Sequence, residues 1–153
     1  MTPLPLEKET ILVRMNGIQG ELKELSDLAK VPFSQFEKGD AFKLAQYHLH
    51  RALEGVFHIA AHILSRIPGG REGGTYKEMA RLLGEKGIVD PAFARGILRE
   101  MAGYRNRLVH FYAEITPKEM YNLITNNLGD IETFLKAVKS VLEKPEKFGL
   151  TVK

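Results

Sequence analysis

Residues 42 to 67 read Phe42-Lys-Leu-Ala45-Gln-Tyr-His-Leu49-His-Arg-Ala-Leu53-Glu-Gly-Val56-Phe-His-Ile-Ala60-Ala-His-Ile63-Leu-Ser-Arg-Ile67. Phe42, Ala45, Leu49, Leu53, Val56, Ala60, Ile63 and Ile67 recur every three or four positions. On a helix of 3.6 residues per turn that spacing makes one apolar stripe, which must be buried against other elements.

The same period holds on both sides of this stretch. Ile11, Met15, Ile18, Leu22, Leu25 and Ala29 form a stripe before it. After it come Tyr76, Met79 and Leu83, then Phe93, Ile97, Met101, Tyr104, Leu108 and Phe111, and last Tyr121, Ile124, Leu128, Ile131, Leu135, Val138 and Leu142. No useful length alternates in strand fashion. The reading is an all-α chain, an antiparallel helical bundle of about five helices, in one domain spanning residues 1 to 153. The tail after Lys144 is expected to fray.

Helix starts are marked by polar residues that accept from free backbone N–H groups. Thr75-Tyr-Lys-Glu78 is a capping box, and Thr116-Pro117-Lys-Glu119 adds a proline at the first helical position. Asp90-Pro91 is an N-cap followed by proline. Ser34-Gln-Phe-Glu37 is a weaker box followed by Gly39-Asp40, so the long helix has two candidate starts. Pro68 to Gly74 is glycine-rich but lacks the Gly-Lys-Ser/Thr ending of a phosphate-binding loop, and reads as a helix connection.

Composition narrows the chemistry. There is no cysteine, which excludes disulfides, thiol catalysis, zinc ribbons and iron–sulfur clusters. Net charge is +3, from 22 Lys and Arg against 19 Asp and Glu, enough to tolerate a polyanion without demanding one. Arg95, Arg99, Arg105 and Arg107 stand against the single acid Glu100, so this short segment alone carries +3. The first residues carry no cationic start followed by an apolar run. The apolar stretch from Val56 to Leu64 is short and is interrupted by His58 and His62. A cytoplasmic protein with no membrane span is expected.

Placed on one helix, Arg99, Gly103, Asn106 and His110 share a face beside the apolar stripe. Gly103 would admit another backbone closely. Arg105 lies one position round from Asn106, and Tyr112 returns to nearly the azimuth of Arg105 if the helix runs so far. Pro117 requires the helix to stop before about residue 116. These side chains suit phosphodiester cleavage in RNA. A histidine can take a proton from a 2′-hydroxyl or give one to the leaving 5′-oxygen, an arginine can hold the phosphate, and an asparagine can orient either group. With the 2′-hydroxyl as nucleophile, neither metal nor cofactor is required.

Elsewhere the polar residues have plainer readings. His58 and His62 are four apart but lack a third ligand, so satisfied hydrogen bonding is expected rather than metal. His48 and His50 do not share a helix face. Arg51 and Glu54 can form an ion pair; the other option is that Glu54 positions a group of the site. Arg95, Arg99 and Arg107 are either solvated or guide RNA backbone.

Met101-Ala-Gly-Tyr-Arg105-Asn-Arg-Leu-Val-His110-Phe-Tyr112 resembles the signature of HEPN toxins of the HepT type, whose motif is Arg, four residues, His, one residue, Tyr. Ala52 to Leu64, Tyr76 to Leu83, and Leu128-Gly-Asp-Ile-Glu-Thr-Phe are also similar to that family, over about residues 42 to 140. The resemblance implies a helical bundle that forms a homodimer and cleaves RNA without metal, with Arg105 and His110 as catalytic residues and Asn106 supporting them or making a dimer contact. Arg99 and Arg107 become candidate RNA contacts. It also implies a partner, an MntA-type minimal nucleotidyltransferase antitoxin, which silences the toxin by placing AMP on Tyr112. The alternative is a HEPN module that binds nucleotides or partner proteins without cutting.

Overall fold

The computed structural model describes residues 4–70, 74–110 and 114–153. Among them the chain is helical, with one isolated parallel β-bridge. Helix α1 runs Lys8–Leu28, a one-turn α2 covers Phe33–Phe36, and α3 runs Ala41–Ser65. Then come α4 at Tyr76–Glu85, α5 at Pro91–Phe93, a π-turn at Ala94–Leu98 and α6 at Arg99–Val109. Helices α7, Pro117–Asn126, and α8, Leu128–Glu143, complete the bundle, followed by a 3₁₀ turn at Pro145–Phe148.

Helix α3 is the axis of the bundle. Ala45, Leu49, Leu53, Val56, Ala60 and Ile63 are buried on it, as the stripe required. Helices α1, α4, α6 and α7 all pack against it. The most extensive packing is with α1, where Gly55 leaves room for Ile18: a Cβ there would stand 2.7 Å from Ile18 Cγ1. Gly84 plays the same part between α4 and the π-turn, since a Cβ would fall 2.6 Å from that of Ala94. The expected close approach at Gly103 does not occur, because a Cβ there would meet open space among the described residues.

The expected caps form. Thr75 Oγ1 accepts from the Glu78 N–H, Thr116 Oγ1 from the Glu119 N–H, both at 3.1 Å, and the Asp90 carboxylate from the Phe93 N–H at 3.3 Å. In neither box does the glutamate side chain hydrogen-bond back to the cap among the described residues. Glu78 binds Arg81 and Glu119 binds Arg107. The long helix starts after Asp40, and the segment beginning at Ser34 belongs to the separate α2.

Four expectations need correction. The fourth stripe holds an inserted π-turn, which shifts the phase by a residue. Leu98 is buried where Ile97 was expected, and Ile97 stays 36% exposed. The same rod ends at Val109, short of Phe111. The fifth stripe is broken at Asn127 into α7 and α8. The segment after Lys144 is packed, not frayed. Gly149, with φ 70°, turns the chain so that Leu150 enters the core, and the bridge of Val152 to Leu6 is closed by hydrogen bonds of 2.8 Å from Leu6 N–H to Thr151 and from Lys153 N–H to Leu6. No described helix is long and apolar enough to cross a membrane.

Candidate active site

Helix α6 lies along α3 and α4, which brings Arg105 onto Glu54. Arg105 Nε donates to Glu54 Oε1 at 2.5 Å, its Nη1 donates to Asn106 Oδ1 at 3.3 Å, and its guanidinium carbon lies 4.4 Å from the centre of the Tyr76 ring. Tyr76 Oη donates to the other Glu54 oxygen at 3.0 Å. Phe57 stacks on Tyr76 with ring centres 4.6 Å apart, so the aromatic support is fixed by the core. The arginine is thus held by a carboxylate and a ring, while its Nη2 has no partner among the described residues.

Glu54 is a hub. His50 Nε2 lies 3.5 Å from Oε1 and His58 Nε2 lies 3.4 Å from Oε2. Arg14 Nη1 lies 2.9 Å from His58 Nδ1. Since arginine can only donate, Nδ1 is the acceptor, and a neutral His58 then carries its proton on Nε2, facing Glu54. Burial on its own raises the Glu54 pKa. The hydrogen bonds from Arg105 and Tyr76 and the positive charge of Arg105 outweigh it, and the carboxyl titrates below its ordinary 4.5. Tyr76 is pushed above its ordinary 10.0 by burial and by its bond to that carboxylate. Glu54 is therefore an anion at neutral pH and keeps Arg105 in place.

The ion pair considered between Arg51 and Glu54 is replaced by another. Arg51 Nε donates to Glu21 on α1 at 2.7 Å, and His48 Nδ1 lies 2.6 Å from the same carboxylate. Glu54 is left to serve Arg105. His58 and His62 diverge as the hydrogen-bonding reading expected: His62 Nε2 accepts from the Glu7 N–H at 3.0 Å. Burial and the charge of Arg66 lower the His62 pKa. The option that Glu54 positions a group of the site is the one the structure favours over the Arg51 pair, but His50, His58 and Tyr76 were not joined to it, although the sequence carries a signal for the histidines. His50, Glu54 and His58 stand at four-residue intervals and so share one face of α3. Tyr76 gave no signal beyond its place in an apolar stripe.

The other motif residues are dispersed. Arg99 and Asn106 are on α6, but His110 has left the helix with φ −115° and ψ 115°, so the single face of four residues is not formed. Its N–H still reaches the Arg107 carbonyl at 3.4 Å. His110 is exposed and lines a groove of about 400 Å³ with Phe42, Gln46 and Pro117. Arg107 is fully engaged. Its Nη1 and Nη2 grip Glu119 at 2.6 and 2.8 Å, and Nη2 also donates to the Glu114 carbonyl at 2.9 Å. That grip competes with any phosphate for Arg107. Tyr112 lies outside the described residues.

Known proteins can be set beside this geometry. A family described as Ribonuclease HepT-like matches residues 18–138. The tRNA nuclease HepT of Aphanizomenon flos-aquae (strain 2012/KM1/D3) is 29% identical over 139 residues, covering 90% of this chain and 91% of that protein. A crystal structure of a toxin–antitoxin with AMP-PNP superposes with a TM-score of 0.74 at 21% identity, over 86% of this chain and 98% of that one. YutE from Bacillus subtilis, a cytosolic protein of unknown function, superposes with a TM-score of 0.70 at 18% identity, over 93% and 95%. The two structures share the fold with this chain, and the family match spans both halves of the Arg105–Glu54 pair: the chain belongs to the HepT-like ribonuclease family.

Proposed function

We propose that this protein is an endoribonuclease, the toxin of a toxin–antitoxin pair, and that it cuts tRNA. The observation that carries the reading is the anchored Arg105, with Nε held by Glu54, its plane supported by Tyr76, and Nη2 unbonded among the described residues and so able to meet a phosphate oxygen. A guanidinium fixed in this way loses little freedom when it meets phosphate, and its charge is aimed where negative charge grows in the transition state. Family membership and the tRNA nuclease relative support the substrate class.

In the proposed reaction the substrate's own 2′-hydroxyl attacks the adjacent phosphorus and the 5′-oxygen leaves. His110 moves the proton, as base or as acid, Arg105 stabilises the phosphate, and Asn106 orients. The products are a 2′,3′-cyclic phosphate and a 5′-hydroxyl. This chemistry calls for no metal. A homodimer would put two such motifs in one cleft, and AMP placed on Tyr112 by an MntA-type nucleotidyltransferase would set a competing phosphodiester near Arg105. The dimer and the silencing rest on the resemblance and on the motif spacing.

The test is cleavage of a tRNA transcript in EDTA by wild type and His110→Ala, with the intact mass of each recorded. Wild type is expected to cut, and the variant to lose roughly 100-fold or more, the scale of a lost acid–base group. Equal cleavage by the two would remove His110 from the mechanism. No cleavage by wild type of unmodified mass would favour the binding module. No cleavage by wild type carrying added AMP mass would support silencing.

A further inference from the structure

We propose a second RNA contact, a groove between α4 and the rod of π-turn and α6, where Lys77, Arg95 and Arg99 take the phosphate backbone. The inference rests on RNA being the substrate, and extends the site beyond Arg105.

Two adjoining concavities of about 690 and 520 Å³ open on this side, and Lys77, Arg95 and Arg99 line both of them. All three are exposed, and none has an ion pair or side-chain hydrogen bond among the described residues. The arginines at the two ends differ. Arg81 is held between Glu78 and Glu85 at 2.7 and 2.5 Å, and Arg107 is held by Glu119. The groove therefore presents three uncommitted cations against one uncommitted acid, Glu100. Solvated cations without an internal partner are the ones that release counterions to a polyanion at little internal cost.

The fold explains why the three converge. Lys77 is on the first turn of α4. Gly84 lets α4 approach the π-turn closely, and the π-turn carries Arg95 directly before Arg99 at the head of α6. Gly96 and Gly103 line the same groove, and a Cβ at either would meet open space. The floor is bare backbone there, so a phosphate chain is not held away from the cations. An acidic protein surface is the other occupant this charge would suit. Apart from Pro91, Ala94 and Tyr104 the lining residues are charged or glycine, which favours nucleic acid, whose contacts are chiefly ionic.

The test is binding of a fluorescein-labelled tRNA transcript in the His110→Ala background, where RNA persists. Lys77→Gln, Arg95→Gln and Arg99→Gln are combined in one variant. The control removes as many charges elsewhere, with Lys136→Gln, Lys139→Gln and Lys147→Gln. The groove variant should bind roughly tenfold more weakly or worse, with the slope of log K against log salt reduced by about 2, while the control changes little. In the cleaving background the loss should appear in KM. RNA binding by the groove variant equal to that of the control would overturn the inference. If the combined variant fails to fold, the single variants Arg95→Gln and Arg99→Gln decide it by the same comparison. Cleavage lost in His110→Ala alongside unaltered groove binding sinks this inference only; groove-dependent binding without cleavage by unmodified wild type sinks the nuclease reading only.

Discussion

Helix α6 carries the same arrangement twice, two residues apart. Arg105 pairs with Glu54, lies over Tyr76, and Tyr76 donates to the glutamate at 3.0 Å. Arg107 pairs with Glu119, lies 5.4 Å from the centre of the Tyr104 ring, and Tyr104 donates to the glutamate at 3.1 Å. The two triads differ in the edge of the guanidinium that is used. Arg107 puts its Nη fork onto the carboxylate and adds the Glu114 carbonyl, which fastens the segment before α7 to α6. Arg105 uses Nε on its carboxylate and Nη1 on Asn106, and its Nη2 makes no hydrogen bond among the described residues. On the proposed function one arginine is a fastener and the other a held tool, although the two neighbours look alike in the sequence.

The largest expected effect breaks the two apart. Arg105→Ala should lower kcat for tRNA cleavage by roughly 100-fold or more, the scale for removing one donor to a developing oxyanion. It should also lower the melting temperature, because the part-buried Glu54 carboxylate loses the cation that depresses its pKa. Arg105→Lys should rescue little, because an ammonium cannot occupy both Glu54 and a phosphate in one plane. Arg107→Ala should cost stability as well but spare the activity. It removes a half-exposed bidentate pair worth about 1 kcal/mol, or about 2 to 4 °C in a chain of this size, and leaves most of the cleavage. Steady-state cleavage and thermal unfolding on the same preparations check both. Equal activity losses in the two variants would erase the distinction.

A smaller effect sharpens the role of Glu54, which acts through Arg105 and is thus a positioning residue. Glu54→Gln keeps the shape of the side chain but removes the anion and one of the two acceptor oxygens, so either Arg105 or Tyr76 loses its acceptor. A loss of about tenfold in kcat is expected, within the range for outer partners of a functional group. Glu54→Asp should recover part of it, since the charge returns on a shorter arm. A merely structural role for Glu54 would instead show as lost stability with kcat preserved.

The comparison also explains what could be read in the sequence. The stripe on α3, the caps at Thr75, Asp90 and Thr116, and the helical class follow from local spacing, because burial of a stripe and satisfaction of helix-end N–H groups are local demands. The π-turn at Ala94–Leu98 and the break at Asn127 are not, since one inserted residue or one non-helical ψ barely disturbs an apolar period. The packed tail needs Leu6 and Val152 to meet from distant parts of the chain. At the site, Arg105, Asn106 and His110 were singled out by a motif within one short segment. Their different environments depend on how α6 aligns with α3 and α7, which sets Glu54 against one arginine and Glu119 against the other.

The smallest expected effect is in acid. The hydrogen bonds from Arg107 hold the Glu119 carboxyl below its ordinary 4.5, against the opposing effect of burial and with help from Tyr104. The unfolded chain, with the higher pKa, binds the proton more readily, so this pair contributes stability above about pH 4.5 and loses it as pH falls through the folded pKa. Wild type should therefore melt at progressively lower temperature between about pH 5 and about pH 3. Glu119→Gln should begin lower at neutral pH and fall less over that window, and Arg107→Ala should show a similar flattening because it removes the cause of the shift. The flattening is partial, since Glu54 and Glu21 are depressed as well and remain in both variants. Parallel melting curves for wild type and Glu119→Gln through the window would mean that the Arg107 pair contributes nothing to the fold, and that the fastener assigned here must be sought in the Glu114 carbonyl.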